Sequence, residues 1–399
     1  MLRDWRLGMV GLGVRSFGRS MSMAACRVRR RPERLGVRCV RIGTALCLGG
    51  ALALGACDEE PRIGEPPKPI AARVVLGTLG DTPGRFAYPR CLEAGRDGTT
   101  LWVIDKSARI QQIDAKTGAC ITTWRMPEWD LGKPVGFTVA PGNDADGKWV
   151  DGLIYVADTH YHRVMIYEPP NPGTSEAAPA GSGARLAGAP RLVGSFGSFG
   201  TEPGQFYFPT DVAVLVGADG RSIARIYVTE YGGNDRVNIF DGSFKWLASF
   251  GHEGPGKNPA EIEFNRPQSL AIWTRSDGSN EVIVVDSSNH RLGRFTLEGK
   301  LIGWIGSPRT MGDALGAFKY PYGIHILADG TALVAEFGGC RVQRVDLETG
   351  RGLQAWGVAG RGAGELAAPW AVTTMGNSVY VLDSGNNRIM GFAMPTLKY

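Results

Sequence analysis

The stretch Val282-Ile283-Val284-Val285-Asp286-Ser287-Ser288-Asn289-His290-Arg291-Leu292 sets four β-branched residues before an acid, then a short polar loop, then an arginine that opens another apolar run. Five further stretches keep this order. Leu101 to Asp105 is answered by Arg109, Ile154 to Asp158 by Arg163, Ile226 to Glu230 by Arg236, Leu333 to Glu336 by Arg341, and Val379 to Asp383 by Arg388. Near-continuous β-branched and aromatic runs are what a strand covered on both faces requires. An acid met by an arginine four to six residues later predicts a charge-assisted pair across the loop, which gives the six carboxylates a structural task rather than a catalytic one.

Upstream of each acid lies a turn: Asp97-Gly98, Asp146-Gly147, Asp219-Gly220, Asp277-Gly278, Asp329-Gly330 and the variant Gly376-Asn377. Asp-Gly between apolar runs supplies the positive φ of a tight hairpin. Upstream again stands a proline, at Pro89, Pro134, Pro209, Pro267, Pro321 and Pro369, with spacings of 45, 75, 58, 54 and 48 residues. The long spacing contains a low-complexity insert, 169–190. Units of about 50 residues with four short strands predict propeller blades. A fourth strand is visible in Leu192 to Gly197, Trp246 to Gly251, Leu301 to Gly306 and Leu353 to Gly357, whereas the sixth unit stops at Phe392-Ala393-Met394. Val74 to Gly80, followed by Gly84 to Pro89, has the form of Leu192 to Gly197 followed by Gly204 to Pro209. The expected fold is therefore all-β, a six-bladed β-propeller over 73–399, closed by an N-terminal strand that removes the free sheet edges.

The prolines, the Val-Ala-Asp-like strand ends, Asn289-His290-Arg291-Leu292, Asn386-Asn387-Arg388-Ile389 and the terminal Phe-Gly together resemble the NHL repeat, over about residues 74–394. The resemblance implies a propeller that serves as a binding platform. A minority of such propellers are enzymes, among them peptidyl-hydroxyglycine amidating lyases, whose zinc is held by histidines around the central channel. Those lyases imply a ligand directly after a leading proline, and here the residues at those places are Arg, Val, Thr, Gln, Tyr and Trp. The expectation is accordingly a non-enzymatic protein with no cofactor and no metal, the alternative being a metal-dependent lyase or hydrolase of that kind.

The chain carries a net charge of +5 over 399 residues, but residues 1–41 hold eleven Arg against Asp4 and Glu33, so the remainder is mildly acidic. A body without a basic patch argues against nucleic acid. Ile42 to Ala56 is apolar or small and too short to span a bilayer; it fits the core of a signal peptide. Leu54-Gly55-Ala56-Cys57 resembles the lipobox of bacterial lipoproteins, which implies lipidation at Cys57, a signal peptide over 1–57 and an extracytoplasmic, membrane-anchored, periplasmic or cell-surface protein. Residues 58–72, acidic and rich in proline, predict a disordered tether. Cys91, Cys120 and Cys340 are odd in number and predict thiols rather than a disulfide framework.

On a propeller, the turns that open the blades and the loops between second and third strands share one face. The candidate binding residues there are Arg90, Thr210, Asp211, Gln268, Tyr322 and Trp370 after the prolines, and His160, His162, Tyr231, Asp235 and His290 in the loops. His325 joins them, because aligning the first strands puts it in a column with Glu93 and small residues. Aromatic side chains beside polar donors give contact area at low entropic cost. The partner expected at this loop rim is a protein, peptide or glycan, bound by a monomeric domain.

Overall fold

Six antiparallel four-stranded sheets follow one another around the chain. The computed structural model describes residues 67–143, 149–169, 190–307 and 310–395. Residues 1–57, read above as a signal peptide with lipidation at Cys57, residues 58–66 of the expected tether, the Asp146-Gly147 turn and residues 170–189 of the insert lie outside the described residues.

The first strand, β1 (Val74–Leu76), belongs to the last sheet. Blade one is β2 (Pro89–Ala94), β3 (Thr100–Asp105), β4 (Arg109–Asp114) and β5 (Cys120–Arg125). Blade two is β6 (Phe137–Asn143), β7 (Trp149–Asp158), β8 (Arg163–Glu168) and β9 (Arg191–Phe196). Blade three is β10 (Phe208–Val216), β11 (Ile223–Tyr231), β12 (Arg236–Asp241) and β13 (Trp246–Phe250). Blade four is β14 (Pro267–Thr274), β15 (Asn280–Asp286), β16 (Arg291–Phe295) and β17 (Leu301–Ile305). Blade five is β18 (Pro321–Ile326), β19 (Thr331–Glu336), β20 (Arg341–Asp346) and β21 (Gly352–Trp356). Blade six is β22 (Pro369–Met375), β23 (Ser378–Asp383) and β24 (Arg388–Ala393), with β1 as its outer strand.

The protein is thus a six-bladed β-propeller whose ring is closed by its N-terminal strand: Val74, Val75 and Leu76 pair antiparallel with Gly391, Met390 and Ile389. Between adjacent blades the facing side chains form apolar layers. Trp102 and Ile104 of blade one, for instance, meet Phe137, Val139, Ile154 and Val156 of blade two. The second strands are almost wholly buried, as their unbroken apolar runs require.

All six acid and arginine pairs form: Asp105 with Arg109, Asp158 with Arg163, Glu230 with Arg236, Asp286 with Arg291, Glu336 with Arg341 and Asp383 with Arg388, at 2.7 to 2.9 Å. Five of the acids also accept a backbone N–H two residues ahead of a leading proline, from Ala87, Tyr207, Asn265, Lys319 and Ala367. The arginines then reach carbonyls of the linker entering the same blade, as Arg291 does at Gly256 and Glu263 and Arg388 at Gly362 and Glu365. Five of the pairs therefore staple a linker to its blade and satisfy backbone groups that no strand partner could reach, while Arg163 reaches its linker through the Glu128 carboxylate.

The first hairpin of blade one is a four-residue loop, in which Gly95 N–H donates to Thr100 O at 2.8 Å, with Gly98 at φ +69° and Asp97 accepting the N–H groups of Thr99 and Thr100. In blade six, by contrast, Gly376 and Asn377 alone join the paired Met375 and Ser378. The end of the stretch read as a disordered tether is bound. Lys68 pairs with Trp356, Ile70 N–H donates to Gly364 O at 2.7 Å, and Ile70 is 4% exposed in the core between blades five and six. Ile70 and Ala72 pack on that core, and Gly357 N–H donates to Lys68 O at 2.7 Å, which together dock residues 67–72.

Candidate functional site

The turn ahead of each first strand and the loop after each second strand meet at one mouth of the central channel. Arg90 of blade one lies with its guanidinium 4.6 Å from the Trp370 ring of blade six. Tyr322 of blade five, Arg266 of blade four, Tyr231 of blade three, and Lys106 and His160 of blades one and two all act electrostatically with Arg90. Two aromatic groups flank it. Tyr322 stacks on Phe337 at 4.5 Å and meets Trp370 edge-on at 4.8 Å. Opposite, Tyr231 stacks on Phe208 at 5.4 Å, with Arg266 4.9 Å above its ring. Burial lowers the Arg90 pKa to about 10 and the His160 pKa to about 4, so the imidazole is neutral near pH 7. Arg90 Nε, His160 Nδ1 and Gln268 Nε2 are shut off from solvent without a hydrogen-bond partner.

Of the residues expected at the rim, Arg90, Tyr322, Trp370, Tyr231, His160 and Gln268 come together here. The others are occupied in holding the ring. Thr210 is fully buried, its hydroxyl bridging Thr229 Oγ1 at 2.8 Å and Pro267 O at 2.7 Å. His290 is 5% exposed at φ +58° and accepts Tyr320 N–H through Nδ1 at 3.2 Å. Asp235 accepts Arg266 N–H, and Asn387 accepts Tyr88 N–H at 2.8 Å. A polar side chain on each of these loops latches its blade to the residue before the next proline, and the left-handed backbone explains His and Asn at two of them. His162, also left-handed, contacts Tyr207 O and packs between Phe199 and Phe208. His162, Asp235 and His290 were expected at the rim because latch and ligand-binding loops read alike in sequence. Arg266 and Phe208 were missed for the opposite reason: they stand just before a leading proline rather than after it.

Deeper in the channel two carboxyls come close. Asp211 accepts Ser269 Oγ at 2.6 Å and the N–H groups of Val212 and Leu270, tying blade three to blade four. Burial raises its pKa to about 7. Burial first and then the Asp211 charge push Glu93 to about 8. Both groups bind protons more tightly folded than unfolded, so their stabilising contribution is complete below the ordinary carboxylate range and is lost as pH rises through 7 to 8. At about 1.4 kcal/mol per unit, Glu93→Gln is expected to flatten the fall of melting temperature between pH 5 and pH 9. A wild-type melting temperature constant over that range would contradict the assignment.

His325 is held by blade six. Its Nε2 bonds Thr374 Oγ1 at 2.8 Å and its Nδ1 lies 3.4 Å from Thr373 Oγ1, both on β22, and burial lowers its pKa to about 4. Among the described residues one group of three potential metal donors is close-set, His252, Glu261 and Glu263 within 4.8 Å. It sits on the linker into blade four, not among the mouth residues. A recess of 480 Å³ lined by Arg96, Pro141, Val216, Gly217 and Gly220 lies at the hairpins of blades one to three. Cys91 and Cys120 are thiols and not half-cystines.

No protein-family model matches the chain. Over 151 residues it is 29% identical to the peptidyl-glycine alpha-amidating monooxygenase of Mus musculus, and over 150 residues 27% identical to that of Rattus norvegicus. Each match covers 38% of this chain and 13% of the relative's length. Among solved structures, a Bacteroides thetaiotaomicron protein of unknown function superposes over 80% of this chain and 76% of its own, with a TM-score of 0.50 at 16% identity. The virginiamycin B lyase of Staphylococcus aureus covers 80% of this chain and 98% of its own, with a TM-score of 0.47 at 15% identity. The likeness to the Bacteroides protein is one of fold and agrees with the propeller described above.

Proposed function

We propose that this protein is an NHL-type binding platform that captures a protein, peptide or glycan at the channel mouth and carries out no chemistry. The observation that carries this reading is the convergence of side chains from all six blades around Arg90, between two aromatic groups. A concave, mostly apolar surface with a few unpaired polar groups is the usual form of a binding site. The six regular acids are taken up by their arginines, which supports a platform over an acid and base pair. The Arg-rich start, the apolar run and Cys57 support an extracytoplasmic protein held to a bacterial membrane by lipid.

Trp370→Ala and Tyr322→Ala are each expected to weaken partner capture from membrane extract by tenfold or more, since central aromatic anchors commonly contribute about 2 kcal/mol or more. The melting temperature should change far less. Undiminished capture by both variants would count against this mouth.

The sequence likeness to the amidating monooxygenases favours a second reading, a metal-dependent lyase. A stoichiometric metal in purified protein, found by elemental analysis, would put that reading first.

A further inference from the structure

We propose that the channel mouth is built for an oxyanion, a carboxylate or a phosphate monoester, carried on a planar apolar group, with Arg90 holding the anion. This rests on the binding role given to the mouth above and adds the chemistry of what binds there.

Arg109, Arg291, Arg294, Arg341 and Arg344, the buried arginines among the described residues, each contact a carboxylate: Asp105, Asp286, Glu281, Glu336 and Asp329. Arg90 contacts none, and among the described residues its guanidinium makes no hydrogen bond, while its Nε is sealed from water. The ionisable groups that act on it are phenols, further cations and the neutral His160 imidazole: Tyr231, Tyr322, Arg266, Lys106 and His160. Arg90 is half-buried, and a cation partly withdrawn from water without a counter-charge is costly, so folded proteins rarely keep one without a reason. Here the deficit is an anion that the chain itself does not supply.

The neighbouring groups agree in sign and in type. Gln268 Nε2 is an unpaired donor, and the neutral His160 ring offers an unpaired Nδ1. A carboxylate or phosphate is rich in acceptors and matches the planar fork of a guanidinium. The Tyr322, Phe337 and Trp370 rings on one side, and Phe208 and Tyr231 on the other, suit a flat apolar carrier.

The test titrates benzoate, phenyl phosphate and benzamide into the protein at pH 7, followed by tryptophan fluorescence and calorimetry. At least one of the two anions is expected to bind tenfold or more tightly than benzamide, its neutral counterpart. The tighter of the two identifies the natural oxyanion as carboxylate or phosphate. Arg90→Gln is expected to abolish the preference with an unchanged or raised melting temperature, because the uncompensated charge is removed. Arg90→Lys, which keeps charge but loses the fork, should retain part of it. Equal binding of benzoate, phenyl phosphate and benzamide, or a preference that survives Arg90→Gln, would overturn the proposal. So would a marked loss of stability in Arg90→Gln, which would place Arg90 in the scaffold. If Trp370→Ala impairs partner capture while no anion is preferred, the platform stands and the anion falls. If anions bind through Arg90 while capture ignores Trp370 and Tyr322, the platform falls instead.

Discussion

A chain begun at residue 81, lacking residues 67–80, is expected to lose the cooperative melting of the ring and to aggregate. β1 is the outer strand of blade six, and without it the backbone of β24 presents unpaired N–H and C=O groups along an open edge. Leu76 at 3% exposure and Ile70 at 4% would vanish from two interblade cores. Each is worth about 1.5–3 kcal/mol of burial, and with the lost ladder the sum approaches the total stability of an ordinary protein, about 5–15 kcal/mol. Calorimetry and size-exclusion chromatography of the shortened chain measure this directly. Leu76→Ala alone is the milder version, with an expected cost of about 2–5 kcal/mol. A shortened chain that melts like the parent would mean that the ring does not depend on its first strand.

The second large effect belongs to the staple in blade four. Arg291 and Asp286 are both fully buried, 2.8 Å apart, and the arginine also holds Glu263 O at 2.7 Å and lies 3.5 Å from the Trp304 ring. Arg291→Met leaves a buried carboxylate without its partner, at an expected cost of about 3–5 kcal/mol. Burial already raises the Asp286 pKa to about 6, with Arg291 among the groups opposing the rise. Removing the arginine raises it further, so the variant's deficit should be smaller at pH 5 than at pH 8, where the carboxyl must ionise. The double variant Asp286→Asn with Arg291→Met should recover part of the loss, since no charge is then stranded. Denaturant melts of the three proteins at both pH values decide it. A deficit independent of pH would show that the cost lies in lost packing against Trp304 rather than in the stranded charge.

Blades, ring closure and all six charge pairs were legible in the sequence because each rests on a local rule repeated at one phase. Asp286 and Arg291 are five residues apart and need only their own loop to meet. The site was legible in part. Residues directly after a leading proline, such as Arg90, Tyr322 and Trp370, do reach the mouth. The loop residues divide by a criterion that no single blade reveals, namely whether the side chain turns toward the channel or toward the next blade. Tyr231 does the first and His290 the second. His325 and Asp211 failed as rim residues because depth along the channel depends on how blades are set against each other, not on spacing within one. The unpaired state of Arg90 could not be read at all, since it is a property of six neighbouring loops at once.

The strap formed by residues 68–76 bears on how the molecule would take tension. β1 and β24 run antiparallel, so the start of β1 and the end of β24 emerge at the same end of their ladder. A pull between the two chain ends would therefore peel that seam one rung at a time, the weakest way to load a sheet. Force arriving from the N-terminal side meets Lys68 and Ile70 first, where they are pinned against Trp356 of blade five and Gly364 of the linker that follows it. Those two contacts act as strain relief, carrying the load into blade five before it reaches the joint that keeps the ring shut.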